Sequence, residues 1–247
     1  MIDNPRLLLS KLRNGDYAHA GETEAIDIVL NKIKEIEIKS EKNKKLLDLG
    51  CGLGGTAEYI RLHTDYDLYG LDIDFVAVDY ARKYYNNVKF FNCDINNLSD
   101  EVVNNRFDIM TMFNVFYALQ CQRDSLKTLA EIANPGAILA IFDYTTPHQN
   151  KFVFRDLSGT PMNPVSLNDL LRWLNETSWE LIETHDMSSQ YFNWYNGFLI
   201  NLRSRKNYLS KEFTEETINK VNETFSFLLS KIEKKEIGGH IIYAKKI

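Results

Sequence analysis

Ten residues constrain this chain more than any others: Leu46-Leu47-Asp48-Leu49-Gly50-Cys51-Gly52-Leu53-Gly54-Gly55, an apolar run that ends in glycines. Glycine permits positive φ and lets the backbone lie against a ligand. A helix starting after such a turn offers unpaired N–H groups and the positive end of its dipole. Apolar strand, glycine turn and helix together make a cradle for a ligand at the edge of an α/β sheet. Gly50, Gly52 and Gly55 also satisfy G-x-G-x-x-G, so a dinucleotide, and with it a nicotinamide-dependent oxidoreductase, stays open at this point.

The segments that follow predict the rest of such a sheet. Short apolar runs recur as LYGLDI from Leu68, VKFFNCD from Val88, FDIMTMF from Phe107 and AILAIFDY from Ala137. Between them, Thr56 to His63, Phe75 to Tyr85 and Asp124 to Ala133 have the length of crossover helices, and Asn134-Pro135-Gly136 predicts a stop after the last. Strand alternating with helix implies a parallel sheet. Upstream, Ile26, Val29, Leu30, Ile33 and Ile36 mark an amphipathic helix from Glu22 to Ile38, and the charged stretch Lys39 to Lys45 reads as a solvated linker.

After Tyr144 the alternation breaks. Thr146 to Pro164 holds three of the five prolines and reads as a loop, Ser166 caps a helix through Glu176, and Trp179 to Thr184 reads as a sixth strand. Helical patterning then dominates, including Thr214 to Lys235, until the last strand, HIIYAKKI from His240. The expected division is an N-terminal lid and helix (1–40), an α/β core (41–184), an inserted helical cap (185–236) and a final core strand (237–247).

Composition narrows the partners. At 247 residues one core is expected. Twenty-nine Lys and Arg against 34 Asp and Glu leave a net charge of -5, so no global field draws phosphate backbones and no nucleic-acid partner is expected. No apolar run approaches the ~20 residues of a membrane helix, and MIDNPRLLLSKLRNG lacks the h-region of a secretory signal. A cytoplasmic location with no membrane partner is the expectation. Cys51, Cys93 and Cys121 are odd in number and widely spaced, which fits reduced thiols rather than a disulfide framework or a zinc site.

Three acids sit at successive predicted strand ends. Asp48, two residues before the first glycine, would repel a pyrophosphate but suit an ammonium or sulfonium group. Asp72, 24 positions on, stands where a ribose diol meets an acceptor, and Asp94 could accept from the exocyclic amine of adenine.

With LLDLGCGLGG, YGLDID, NCDI and FDIMTMFNVFYAL in this order, residues 15–145 resemble the class I S-adenosylmethionine-dependent methyltransferases. YAHAGETEAIDIVL before the glycine turn, with the helical insertion before the last strand, makes the small-molecule phosphoethanolamine and ubiquinone/menaquinone type the most similar. The resemblance implies a doubly wound, mostly parallel seven-stranded sheet with an antiparallel last strand. It also implies S-adenosylmethionine as cofactor, S-adenosylhomocysteine as product, and a small-molecule acceptor methylated on nitrogen or oxygen. By position, Asp48, Gly50, Gly52 and Gly54 would hold the methionine moiety, Asp72 the ribose, Ile73 a face of adenine, and Asp94 with Ile95 its edge. Phe113 and Asn114 would close the pocket near the sulfonium.

The acceptor side departs from the resemblance. Phosphoethanolamine methyltransferases carry an Asp and a His where this chain has Asn114 and Ala118, although Tyr144 matches a substrate-contacting tyrosine. A non-catalytic cofactor-binding module therefore stands as an alternative to the enzyme. The remaining catalytic candidates are Tyr17 and His19 in the lid, Tyr117 and Tyr144. His19 alone has an intrinsic pKa suited to a base near neutrality. Tyr191, Phe192, Trp194, Tyr195 and Phe198 could cage a cationic or planar acceptor or simply pack. Arg203, Arg205 and Lys206 could meet an anion or cap a helix.

Overall fold

A computed structural model describes residues 1–37, 43–147 and 154–247. Most of the expected linker at Lys39 to Lys45, the expected lid–core boundary and part of the loop at Thr146 to Pro164 lie outside the described residues.

The chain opens with α1 (Pro5–Arg13), started by Pro5 in the first turn and by Asn4, whose side chain accepts from the Arg6 and Leu7 N–H groups. Then come α2 (Glu22–Ile36), β1 (Lys45–Leu49), α3 (Gly55–His63), β2 (Asp67–Asp72), α4 (Phe75–Tyr84), β3 (Lys89–Asn92), α5 (Asp100–Val103), β4 (Phe107–Phe113), α6 (Gln122–Ile132) and β5 (Ala133–Thr146). The last part holds β6 (Val165–Ser166), α7 (Leu167–Glu176), β7 (Trp179–Asp186), α8 (Ser188–Ser204), α9 (Lys206–Leu209), α10 (Glu215–Glu233) and β8 (Gly238–Lys246). The strand order is β3-β2-β1-β4-β5-β8-β7, with the two-residue β6 beside β5 as an eighth strand. β1 to β5 run parallel and β8 pairs antiparallel with both β5 and β7.

Side chains alternate across this sheet. Leu46, Ile109 and Ala140 pack under α1 to α4 and the cap, while Leu47, Met110 and Leu139 pack against α6 and α7. α6 ends at Ile132, so the helix stop expected at Asn134-Pro135-Gly136 holds, but a strand rather than a loop follows it at once. Ala133 already pairs with Phe107, the register shifts before Ile138 pairs with Ile109, and Gly136 takes φ +79°, so the three residues make an irregularity inside β5.

The chain folds outward in opposite directions from β1 and β4, so their carboxyl ends border the crevice where open α/β sheets bind ligands. The N-terminal residues and the cap share one layer over it. α1 packs on α10 and α8. The Arg13 guanidinium is buried against the Phe198 and Phe225 rings and ion-pairs with Glu22 at 3.0 Å. Ile2 bridges to Phe213, and the Thr217 hydroxyl donates to Asp3 at 2.6 Å.

Candidate functional site

The glycine turn takes the positive φ that its composition predicts: +69° at Gly50, +52° at Gly52 and +91° at Gly54. Three glycines nevertheless do different work. A Cβ on Gly50 would come within 2.4 Å of Val115, and one on Gly54 within 2.9 Å of Ala81 and Tyr85, so these two permit close packing. A Cβ on Gly52 would meet nothing within 4 Å. The end of β2 holds the turn in place: Gly50 and Cys51 N–H groups donate to the Leu71 carbonyl, and the Gly52 N–H donates to Asp72 Oδ2 at 2.8 Å.

Gly52 opens on a cavity of about 810 Å³, within the usual range for small-molecule sites of roughly 300–1,000 Å³. Across the sheet its wall runs from Asp94 and Ile95 after β3, through Asp72 and Ile73 at the end of β2 and Gly50 and Gly52 after β1, to Phe113 and Asn114 at the end of β4 and Tyr144 on β5. Tyr117, Asp156, Tyr195 and Phe225 complete the far side. Ten of the fourteen expected site residues thus line one space.

Four do not. Gly54 is packed as described. Asp48 lies beneath the turn, 2% exposed, with Oδ1 accepting from the Thr111 hydroxyl at 3.1 Å and Oδ2 without a partner. Burial pushes its pKa up to about 7, so it carries less negative charge at neutral pH than its sequence position suggests. The expected repulsion of a pyrophosphate is correspondingly weaker.

His19 is the third. It is 2% exposed, lies with its ring tilted 33° and 4.8 Å from that of Phe113, and has both ring nitrogens engaged. Nδ1 donates to the Ala20 carbonyl at 2.9 Å, which leaves Nε2 to accept from the Thr56 hydroxyl at 3.0 Å. Burial lowers its pKa to about 3. His19 is therefore a neutral strut between lid and α3, not a base facing the cavity. Tyr17, beside it, packs edge-on to Tyr59, and desolvation raises its pKa.

The acceptor end is built from neutral phenols. The Tyr144 and Tyr195 hydroxyls share a hydrogen bond, and the Tyr117 hydroxyl donates to Asp156 Oδ2 at 2.9 Å. Desolvation keeps all three pKa values above that of free tyrosine. Asn114, at φ +55°, joins lid to cap: Oδ1 accepts from the Ala20 N–H at 3.1 Å and Nδ2 donates to the Tyr191 hydroxyl at 2.8 Å.

Most of the aromatic run in α8 is core. Tyr191 and Phe198 are buried, and among its five rings Tyr195 reaches the cavity. Arg203 bonds Asn222 and Ser226 on α10, and Lys206 faces Glu215, which makes that basic cluster a helix end.

Two acids that shape this end of the sheet escaped the sequence reading. Asp143 Oδ2 accepts from the Val115, Phe116 and Tyr117 N–H groups and Oδ1 from the Tyr144 N–H, so it shapes the short helical turn Phe116–Ala118. Asp156 stands in Arg-Asp-Leu-Ser-Gly-Thr, where turn chemistry was the available signal.

The methyltransferase-domain profile matches residues 17–207. The chain belongs to the methyltransferase-domain family. It is 31% identical over 130 residues to the 235L protein of Invertebrate iridescent virus 6, itself described as a methyltransferase, with 52% of this chain and 44% of the viral protein aligned. Among solved structures, Haemonchus contortus phosphoethanolamine N-methyltransferase 2, in complex with phosphomonomethylethanolamine and S-adenosylhomocysteine, superposes with a TM-score of 0.79 at 15% identity over 93% of this chain and 54% of that one. The Mycobacterium tuberculosis cyclopropane synthase MmaA2 superposes with a TM-score of 0.77 at 14% identity, covering 93% and 90%. The chain thus spans about half the length of the viral relative and of the worm enzyme. These likenesses place the sheet in the methyltransferase fold. Family membership, rather than the charge of Asp48, decides against the dinucleotide reading of the glycine turn.

No helix among the described residues is long and apolar enough to cross a membrane. Nor does any group of three or more described His, Cys, Asp or Glu side chains gather into a metal site.

Proposed function

We propose that this methyltransferase-family chain moves a methyl group from S-adenosylmethionine to a nitrogen or oxygen of a small molecule. One observation carries the reading: a single cavity joins the open glycine Gly52 and the carboxylates Asp72 and Asp94 at one end to the phenols Tyr117, Tyr144 and Tyr195 at the other. The residues fit the cofactor. Gly52 leaves space for it, Asp72 offers carboxylate lone pairs to a diol, Ile73 offers an exposed apolar side chain, and the unpartnered Asp48 Oδ2 supplies negative potential below the turn.

S-adenosylmethionine supplies an electrophilic methyl on sulfur, which the acceptor's lone pair takes while the C–S bonding pair stays on the S-adenosylhomocysteine that leaves. The chain's own contribution is placement and exclusion of water. Asn114 ties lid to cap beside Phe113, and the phenols orient the acceptor by hydrogen bonding as neutral groups. His19 and Tyr17, outside the cavity lining, hold the lid. An acceptor that arrives with its lone pair free then needs no base from the protein.

Titration calorimetry tests the donor half. S-adenosylmethionine and S-adenosylhomocysteine should bind, with affinity reduced at least tenfold in Asp72→Ala, while NADH should give no signal. Unchanged affinity in that variant removes the assigned pocket. Labelled donor offered with a metabolite extract tests the transfer: a labelled product of low mass is expected, and binding without any turnover would leave the non-catalytic module.

A further inference from the structure

Four rings line the acceptor end in a chain. Tyr117 lies 5.3 Å from Tyr144 at 70°, Tyr144 6.4 Å from Tyr195, and Tyr195 5.1 Å from Phe225 at 70°. All four line the one cavity, and aromatic rings attract cations through their quadrupole, as the Arg13 guanidinium 5.5 Å over Phe225 illustrates. A carboxylate completes it. Asp156 is fixed by its own loop, Oδ1 accepting from the Ser158 and Thr160 N–H groups at 2.9 Å and from the Ser158 hydroxyl at 2.6 Å. Its Oδ2 takes the Tyr117 phenol and keeps a lone pair for a ligand. Arg6, a cationic side chain on this cavity wall, is already paired with Asp74.

We infer that the acceptor subsite recognises an amine, held as its cation or as its methylated ammonium product between the Tyr117, Tyr144, Tyr195 and Phe225 rings and the Asp156 carboxylate. The inference rests on the methyl-transfer reading and deepens it. The hydroxyls set the polarity: the shared Tyr144–Tyr195 bond consumes one of two phenol hydrogens, so lone pairs outnumber donor hydrogens at this pair. An amine suits the site for a second reason: it attacks as the neutral base that enters with its lone pair free. The positive charge passes from sulfur to the methylated nitrogen, and any proton on that ammonium product is lost to solvent only after release, so no base is asked of the neutral phenols.

The test uses the full chain, with and without saturating S-adenosylhomocysteine, and three probes: tetramethylammonium, the uncharged tert-butanol of similar shape, and inorganic phosphate. Calorimetry should find tetramethylammonium bound at least tenfold more tightly than either of the others. Asp156→Asn should lower its affinity at least fivefold and leave S-adenosylhomocysteine binding within twofold. Tyr195→Leu, which removes one ring face, should weaken the ammonium in the same way, and thermal melts identify whichever variant stays folded. Equal binding of the three probes, tighter binding of phosphate, or folded variants that keep full ammonium affinity overturn the inference. So does turnover confined to phenols in an acceptor panel. Failure of the native chain to bind S-adenosylhomocysteine would instead sink the methyl-transfer reading, and the ammonium preference read without it still decides this one.

Discussion

The Asn114 amide donates to the Tyr191 hydroxyl at 2.8 Å and so fastens the end of β4 to the cap, while its carbonyl accepts from the lid at Ala20. The residue sits at φ +55°, which asparagine tolerates better than most. Two polar contacts and one unusual backbone conformation converge on this one side chain.

Asn114→Ala removes both contacts and should lower stability by about 2 kcal/mol. Urea unfolding measures that loss. Limited proteolysis should show faster cleavage in the first twenty-one residues, and unaltered protease resistance would mean the lid is held by its apolar contacts alone.

His19 sets a pH limit on stability. Unfolded, it takes up a proton near pH 6.5, whereas burial keeps the folded ring neutral to about pH 3. Between these values the unfolded state binds the extra proton, so the native state loses stability as pH falls from 6.5. In His19→Gln the decline between pH 6.5 and 4.5 should be shallower, as read from urea midpoints. The activity profile of that variant between pH 6 and 8 should keep its shape; loss of an ascending limb would restore His19 as a base.

Asp48 titrates in the opposite sense. With its pKa raised to about 7, it becomes fully anionic only as pH rises past neutrality, and its charge favours a cationic donor. S-adenosylmethionine affinity should therefore rise between pH 6 and 8, and the part of that rise due to Asp48 should vanish in Asp48→Asn. A calorimetric pH series on both proteins measures the difference.

Two glycines in the same turn should separate on substitution. Gly52→Val meets open space and should cost binding more than stability: at least tenfold in affinity against about 1 kcal/mol of backbone strain. Gly54→Val collides with Ala81, Tyr85 and Phe90 and should chiefly destabilise, by about 3 kcal/mol or more. Thermal melts alongside calorimetry read both quantities.

Asp143 accepts from four backbone N–H groups. Asp143→Ala leaves those donors buried and should cost about 3 kcal/mol or more, with Tyr117 displaced from Asp156. Retention of native stability would show that water replaces the carboxylate.

Local signals explain which features were legible. The apolar runs and the glycine turn announce β1 to β5 and their helices within a few residues, because side-chain period and backbone freedom act over short distances. Asn134-Pro135-Gly136 marks the end of α6 as expected, but that these residues join β5 was not legible, because the pairing of Ala133 with Phe107 depends on another strand. α1 was missed, although Asn4 and Pro5 mark its start, since its apolar face has meaning only against α10 and α8.

The sequence by itself determined a glycine turn at the end of a buried strand, with acids after the next two strands, because these follow from glycine's missing Cβ and from strand periodicity. Tertiary structure alone decided that His19 is a neutral strut, that Asp48 lies under the turn, and that Tyr117, Tyr144, Tyr195 and Asp156 meet across one cavity. Burial and charge depend on what a side chain faces, and those neighbours come from segments well separated along the chain, which no local pattern reports.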